Sequence, residues 1–193
     1  MRTGILGGTF DPIHIAHLHG AECALDQLGL DRVLVVPAGD PWQKSDRQIT
    51  VARHRVEMCR IAVEGVDGLE VDDREVRRDG PTYTVDTLAS FPADEDLYLI
   101  VGADAAAGLD TWHRWEDILK RAKVAIAPRT GSPMTDVPGA VEIEMGLLDV
   151  SGTDIRRRAR QGRPFRYLVT PPVYDYIVSH DLYAEERRDD MVG

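Results

Sequence analysis

Cysteine is scarce in this 193-residue chain: there are two, Cys23 and Cys59. Neither has the spacing of a metal knuckle or a CxxC redox pair, which excludes a disulfide scaffold; two free thiols in a reducing cytosol are expected. Long apolar runs are missing too. Nowhere do eighteen apolar residues follow one another, so no membrane span is expected. The first residues lack a basic stretch followed by an apolar run, so no signal peptide is expected and the location reads as cytoplasmic. Positive charge is the minority, with 23 Lys+Arg against 33 Asp+Glu, a net charge of −10 and a pI near 5.0. A protein that coats nucleic acid through bulk charge is therefore excluded. No glycine turn is followed by GK[ST], and the glycines at 4, 7 and 8 do not make GxGxxG, so P-loop and dinucleotide-dehydrogenase readings fail. No Ser-His-Asp or Cys-His nucleophile set is evident.

What is present is an ordinary globular composition, 43% hydrophobic and 29% charged. The length suits one domain over residues 1–184, with a charged, frayed tail at 185–193. Short apolar runs at 3–6, 32–36, 69–76, 97–101, 124–127 and 141–145 read as strands. Helical patterns fall at 14–28, 50–64, 84–91, 112–121, 151–161 and 172–180, with Thr50 as an N-cap. Residues 37–48 and 130–139 read as loops. This alternation predicts an α/β fold: a Rossmann-like, doubly wound, mainly parallel sheet with helices on both faces. Ligands in such folds bind beyond the carboxyl ends of the strands, near the topological switch point.

The run Gly7-Gly8-Thr9-Phe10-Asp11-Pro12-Ile13-His14-Ile15-Ala16-His17 follows the first strand. Two glycines let a ligand approach the backbone closely and leave N–H groups available. His14 and His17, three apart at a helix start, put two imidazoles on one face where the helix dipole favours an anion. Together they form a candidate phosphate site. The alternatives are a zinc pair, which lacks companion ligands, and two surface histidines without a role.

A second run, Val150-Ser151-Gly152-Thr153-Asp154-Ile155-Arg156, begins a late helix. Ser151 can cap that helix, with Asp154 in capping-box position. Hydroxyls and N–H groups there suit phosphate, and Arg156 adds a permanent charge. An ordinary capped surface helix is the alternative. Six arginines occupy the eleven positions 156–166, with no carboxylate between them. Arg157, Arg158, Arg160, Arg163 and Arg166 read as solvated or salt-bridged to the acidic body. The island lacks aromatic interleaving or zinc motifs, so no nucleic-acid partner is expected.

The first run resembles the signature of the nucleotidyltransferase α/β-phosphodiesterase superfamily, with Ala16 in place of a glycine in HxGH. The second resembles its ISSTxIR signature, with Ser151, Thr153 and Arg156 matching and Gly152 departing. Three further stretches are similar to bacterial nicotinate mononucleotide adenylyltransferases: Thr82-Tyr83-Thr84-Val85-Asp86-Thr87-Leu88, Gly102-Ala103-Asp104, and Thr111-Trp112-His113-Arg114-Trp115.

The resemblance spans nearly the whole chain. It implies adenylyl transfer from ATP to nicotinate mononucleotide, giving nicotinate adenine dinucleotide and pyrophosphate. It implies catalytic roles for His14, His17 and Arg156, and ATP contacts from Gly7, Gly8, Thr9, Phe10, Gly102, Asp104, Ser151 and Thr153. It assigns the mononucleotide to Lys44, Thr82, Tyr83, Thr84, Trp112 and Arg129. Trp112 is a candidate for stacking on the pyridine ring, while Trp115 reads as core. Mg²⁺ would come bound to substrate, with no protein metal site. Nicotinamide mononucleotide and phosphopantetheine stay open as alternative acceptors. The resemblance also leaves a homo-oligomer open, although no interface signature is visible.

Overall fold

The structure is a computed structural model that describes residues 1–39, 49–128 and 137–184. Among these, β1 (Arg2–Gly8), β2 (Arg32–Pro37), β3 (Leu69–Val71), β4 (Asp96–Gly102), β5 (Ala122–Ala127) and β6 (Val141–Glu142) form one sheet in the order β3-β2-β1-β4-β5-β6. Every neighbouring pair is parallel. Chain order runs outward from β1 in one direction, then jumps back to β4 on its other side. That reversal between β1 and β4 is the switch point of a doubly wound fold, as expected.

Residue alternation along the strands explains the three layers. Leu6, Val33, Val35, Tyr98, Ile100 and Ala125 face one core, with Ala21 and Ala24 of α1 (Ile15–Gln27) and Met58 and Cys59 of α2 (Ala52–Val63). Ile155 of α6 (Gly152–Arg160) and Val173 and Ile177 of α7 (Pro171–Ser179) complete it. Ile5, Leu34, Val36, Leu97, Leu99, Val101 and Val124 face the other core. Val85 and Leu88 of α3 (Thr84–Ala89), Ala106 of α4 (Ala103–Ala106) and Ile118 of α5 (Trp115–Arg121) cover that side. Strands buried on both faces carry continuous apolar runs for this reason.

Several boundaries differ from the sequence expectation. Helix α2 starts two residues late: its N-cap is Val51, with no side-chain cap, because Thr50 spends its carbonyl on Arg55. Of the one or two short strands expected over 69–76, one forms, and it stops at Val71. Asp72 turns back to accept from the Arg74 N–H at 3.0 Å and from its guanidinium at 2.7 Å, and this local pairing competes with the ladder. Beyond Glu142, the Gln27 side-chain amide takes the place of a strand, bonding Glu144 through both its N–H and its carbonyl. The helix expected from Trp112 begins only at Trp115. A 3-10 turn at Leu109–Thr111 ends in an extended Trp112, and Arg114 adopts a left-handed φ of 53° before the helix starts. Trp112 and Trp115 therefore do not share a helical face. The expected tail at 185–193 lies outside the described residues.

Candidate active site

A cavity of about 710 Å³ opens at the switch point, at the carboxyl ends of β1 and β4. It is lined by Gly7, Gly8, Thr9, Phe10, His14, His17, Thr82, Tyr83, Thr84, Gly102, Asp104, Trp112, Ser151, Thr153 and Arg156. Segments far apart in sequence thus meet in one place. Lys44 and Arg129 lie outside the described residues.

The glycine turn is shaped by close packing. A Cβ on Gly8 would sit 2.9 Å from the Phe10 ring, so only glycine fits beneath it. Phe10 itself takes a left-handed φ of 48° and is 2% exposed. Its ring meets His17 edge-on, with centroids 5.1 Å apart. Gly7 and Gly102, by contrast, have open space where a Cβ would point, so a ligand can reach their backbone.

His14 is the extended N-cap of α1, and His17 is its third helical residue. Their rings stack at 3.6 Å with an interplanar angle of 17°. The His14 N–H donates to His17 Nδ1 at 3.2 Å. That bond leaves Nε2 as the protonated nitrogen of neutral His17, a donor at the start of a helix. Ala16, which replaces the glycine of the resembled signature, lines the same cavity.

The second run is tied to the first. Ser151 caps α6, accepting from the Asp154 N–H at 3.2 Å. The Arg156 guanidinium donates to the Asp11 carbonyl and, at 3.3 Å, to the Thr153 hydroxyl. Gly152 matters sterically: a Cβ there would lie 2.9 Å from the Asp11 carbonyl oxygen and 3.3 Å from an Arg156 nitrogen. The two loops meet in backbone contact, which a glycine permits. Asp154 does not complete a reciprocal capping box in this arrangement. Its carboxylate pairs with Arg158 at 2.6 Å and with Arg157, which hold it below the usual carboxylate range. Part of the arginine island is thus neutralised by its own helix rather than by the acidic body. Arg166 stacks on Tyr174 at 4.1 Å and pairs with Asp175 at 3.8 Å.

A second part of the lining is aromatic. Tyr83 and His113 rings lie 4.5 Å apart, and Trp112 joins them in the lining. Trp115 is half-buried and does not line the cavity, so the expectation of a core tryptophan fails. It stands at the very first position of α5, after the left-handed Arg114, where it remains partly open to solvent.

Four residues here escaped the sequence reading. Arg55 is 2% exposed and donates to the carbonyls of Thr50 (2.8 Å), Thr9 (2.8 Å) and Gly39 (3.2 Å). Asp11 is buried; its carboxylate accepts from the Tyr183 hydroxyl at 2.7 Å and from the Thr50 N–H at 3.4 Å. Burial, reinforced by Asp11, pushes the Tyr183 hydroxyl far above the usual tyrosine range, so it stays protonated. Glu75 lines the cavity and accepts from the Thr87 hydroxyl at 2.6 Å; burial raises its pKa. Asp11 stands within the first run, but nothing local marks the role of its carboxylate or of the other three, because most of their partners come from distant segments.

The sequence pattern of the cytidylyltransferase-like family matches residues 5–158. A curated relative from Bordetella avium, "Probable nicotinate-nucleotide adenylyltransferase", is 39% identical over 94% of this chain and 98% of its own. One of the same name from a Nocardioides species is 42% identical over 92% of each. The nicotinic acid mononucleotide adenylyltransferase of Plasmodium falciparum, solved with NaAD, shares the fold with a TM-score of 0.80 at 20% identity, covering 94% of this chain and 97% of its own.

Proposed function

The chain belongs to the cytidylyltransferase-like family, among its nicotinate-nucleotide adenylyltransferases, and from that premise we propose that it transfers the adenylyl group of ATP to nicotinate mononucleotide. The products are nicotinate adenine dinucleotide and pyrophosphate, and the reaction is a step of NAD biosynthesis. One observation carries the reading: a single cavity at the switch point joins a phosphate-binding set with an aromatic set. The unit responsible is the domain over residues 1–184, and its two free thiols suit a cytoplasmic setting. No helix among the described residues is long and apolar enough to cross a membrane.

The mononucleotide phosphate is already a nucleophile at neutral pH, so the protein has to position and neutralise rather than activate. In our reading His14 and His17 bind the triphosphate and stabilise charge at the α-phosphate as the acceptor attacks in line. Arg156, Ser151 and Thr153, at the positive end of α6, hold the β- and γ-phosphates and then the departing pyrophosphate. Gly7, Gly8, Thr9 and Phe10 shape the turn that the nucleotide approaches, and Gly102 and Asp104 meet its ribose. Thr82, Tyr83 and Thr84 take the polar atoms of the mononucleotide, with Trp112 stacking on the flat pyridine ring. Lys44 and Arg129 are assigned to the mononucleotide phosphate on the family resemblance.

A magnesium ion carried by phosphate oxygens and water would supply charge neutralisation on the triphosphate. Among the described residues no group of three His, Cys, Asp or Glu side chains could hold a metal. Asp11, the buried carboxylate of the first run, is engaged by Tyr183 and Thr50.

The test compares initial rates of pyrophosphate release with ATP and each of three acceptors: nicotinate mononucleotide, nicotinamide mononucleotide and phosphopantetheine. The highest kcat/KM is expected for nicotinate mononucleotide. A clear preference for phosphopantetheine overturns the reading.

A further inference from the structure

Helix α2 buries an arginine where its neighbours are Val56, Met58 and Cys59. Removing a guanidinium from water costs several kcal/mol, and an apolar side chain of similar volume usually serves stability as well or better. Stability alone therefore does not account for Arg55. Its partners do. Two of the carbonyls it holds, those of Thr9 and Gly39, follow the carboxyl ends of β1 and β2, and the third, that of Thr50, just precedes its own helix.

Thr9 lies in the glycine turn, on the triphosphate side of the cavity. Gly39 follows β2, and its place is itself tightly set: a Cβ there would sit 2.3 Å from the Glu75 carbonyl oxygen. Glu75 in turn bonds Thr87 of α3, the helix that begins at Thr84. Thr50 precedes α2, and its N–H meets the Asp11 carboxylate. One rigid, planar fork thus links the turn that meets ATP to the segment that backs the acceptor side.

We propose that Arg55 is a positioning residue for adenylyl transfer: by pinning Thr9, Gly39 and Thr50 on one guanidinium, it sets the spacing between the two substrates. It touches neither substrate. Its effect is on the alignment of the acceptor phosphate with the α-phosphate, which the two binding sites taken singly do not sense. This inference rests on the adenylyl-transfer reading above.

Lysine keeps the charge beside Asp11 but carries its donors on one nitrogen, which cannot serve three carbonyls spread around a plane. Arg55→Lys and Arg55→Gln are compared with the native enzyme in pyrophosphate release from ATP and nicotinate mononucleotide, normalised to the folded fraction from thermal melts. A misplacement of about 1 Å costs on the order of 10² in rate, so kcat per folded Arg55→Lys molecule is expected to fall roughly 10- to 100-fold. Both KM values should stay within about threefold, the signature of an interaction expressed only in the transition state.

An unchanged kcat overturns the proposal. So does a rise in either KM with kcat retained, and so does failure of both variants to fold, which would assign Arg55 to stability. If the native enzyme itself does not use nicotinate mononucleotide, the functional reading fails instead, and the two failures are distinguishable.

Discussion

Substitution of His17 separates two roles that one imidazole combines. Its Nδ1 accepts the His14 N–H at 3.2 Å, which closes the start of α1, and its ring backs His14 at 3.6 Å. Its Nε2 is the donor assigned to the triphosphate. Losing a cap costs about 1 kcal/mol, or roughly 2–4 °C in Tm for a chain of this length. Losing a donor aimed at developing charge costs far more in rate, about 10²–10³ in turnover.

Asparagine places a side-chain oxygen near the position of Nδ1, whereas glutamine reaches toward Nε2. His17→Asn is therefore expected to melt near the native temperature but turn over slowly. His17→Gln should melt lower yet retain more turnover, and His17→Ala should lose on both counts. Pyrophosphate release and thermal melts on the same preparations read both quantities. Turnover of folded His17→Ala within about tenfold of native would refute the donor role, since the assigned loss is at least 10². His17→Asn turning over as fast as His17→Gln would refute the division between the two nitrogens.

Two other substitutions test the packing around the cavity. Gly152→Ala would put a methyl 2.9 Å from the Asp11 carbonyl oxygen. The Arg156–Asp11 bond must shift, at an overpacking cost of about 1–3 kcal/mol; the measured outcome is reduced kcat/KM for ATP in a folded protein, and native kinetics would show that the two loops have slack. Glu75 has a raised pKa through burial. Its folded state thus favours the protonated carboxyl: that contribution is complete at acid pH, below the ordinary glutamate range, and is lost as pH rises through the folded value. Glu75→Gln, which stays neutral, should gain Tm over native at pH 7 and lose that advantage at acid pH. A difference independent of pH would contradict the assigned cause.

The parallel sheet was legible because β2, β4 and the part of β5 from Val124 onward carry unbroken apolar runs, the pattern of strands buried on both faces. The two runs that line the cavity were legible because glycine turns, capping residues and histidines act locally, within a few positions of one another. Boundaries set by competing side chains were not. Asp72 cuts β3 short through Arg74, and Gln27 displaces the continuation of β6 from another helix entirely. The helix expected from Trp112 starts only at Trp115, because the left-handed Arg114 separates the two tryptophans.

Local chemistry in the sequence therefore determined the fold class and marked the two runs that line the cavity, and the resemblance those runs carry pointed to the class of reaction. Tertiary structure alone decided that Arg156 would reach the Asp11 carbonyl 145 positions away, that Tyr183 would hold the Asp11 carboxylate, and that Arg55 would be buried against three carbonyls. The physical reason is the same in each case. A glycine turn or a helix cap satisfies its polar groups with near neighbours, so its pattern is written in adjacent residues. A buried charge must find partners wherever the folded chain brings carbonyls and hydroxyls together, and those partners have no fixed spacing in sequence.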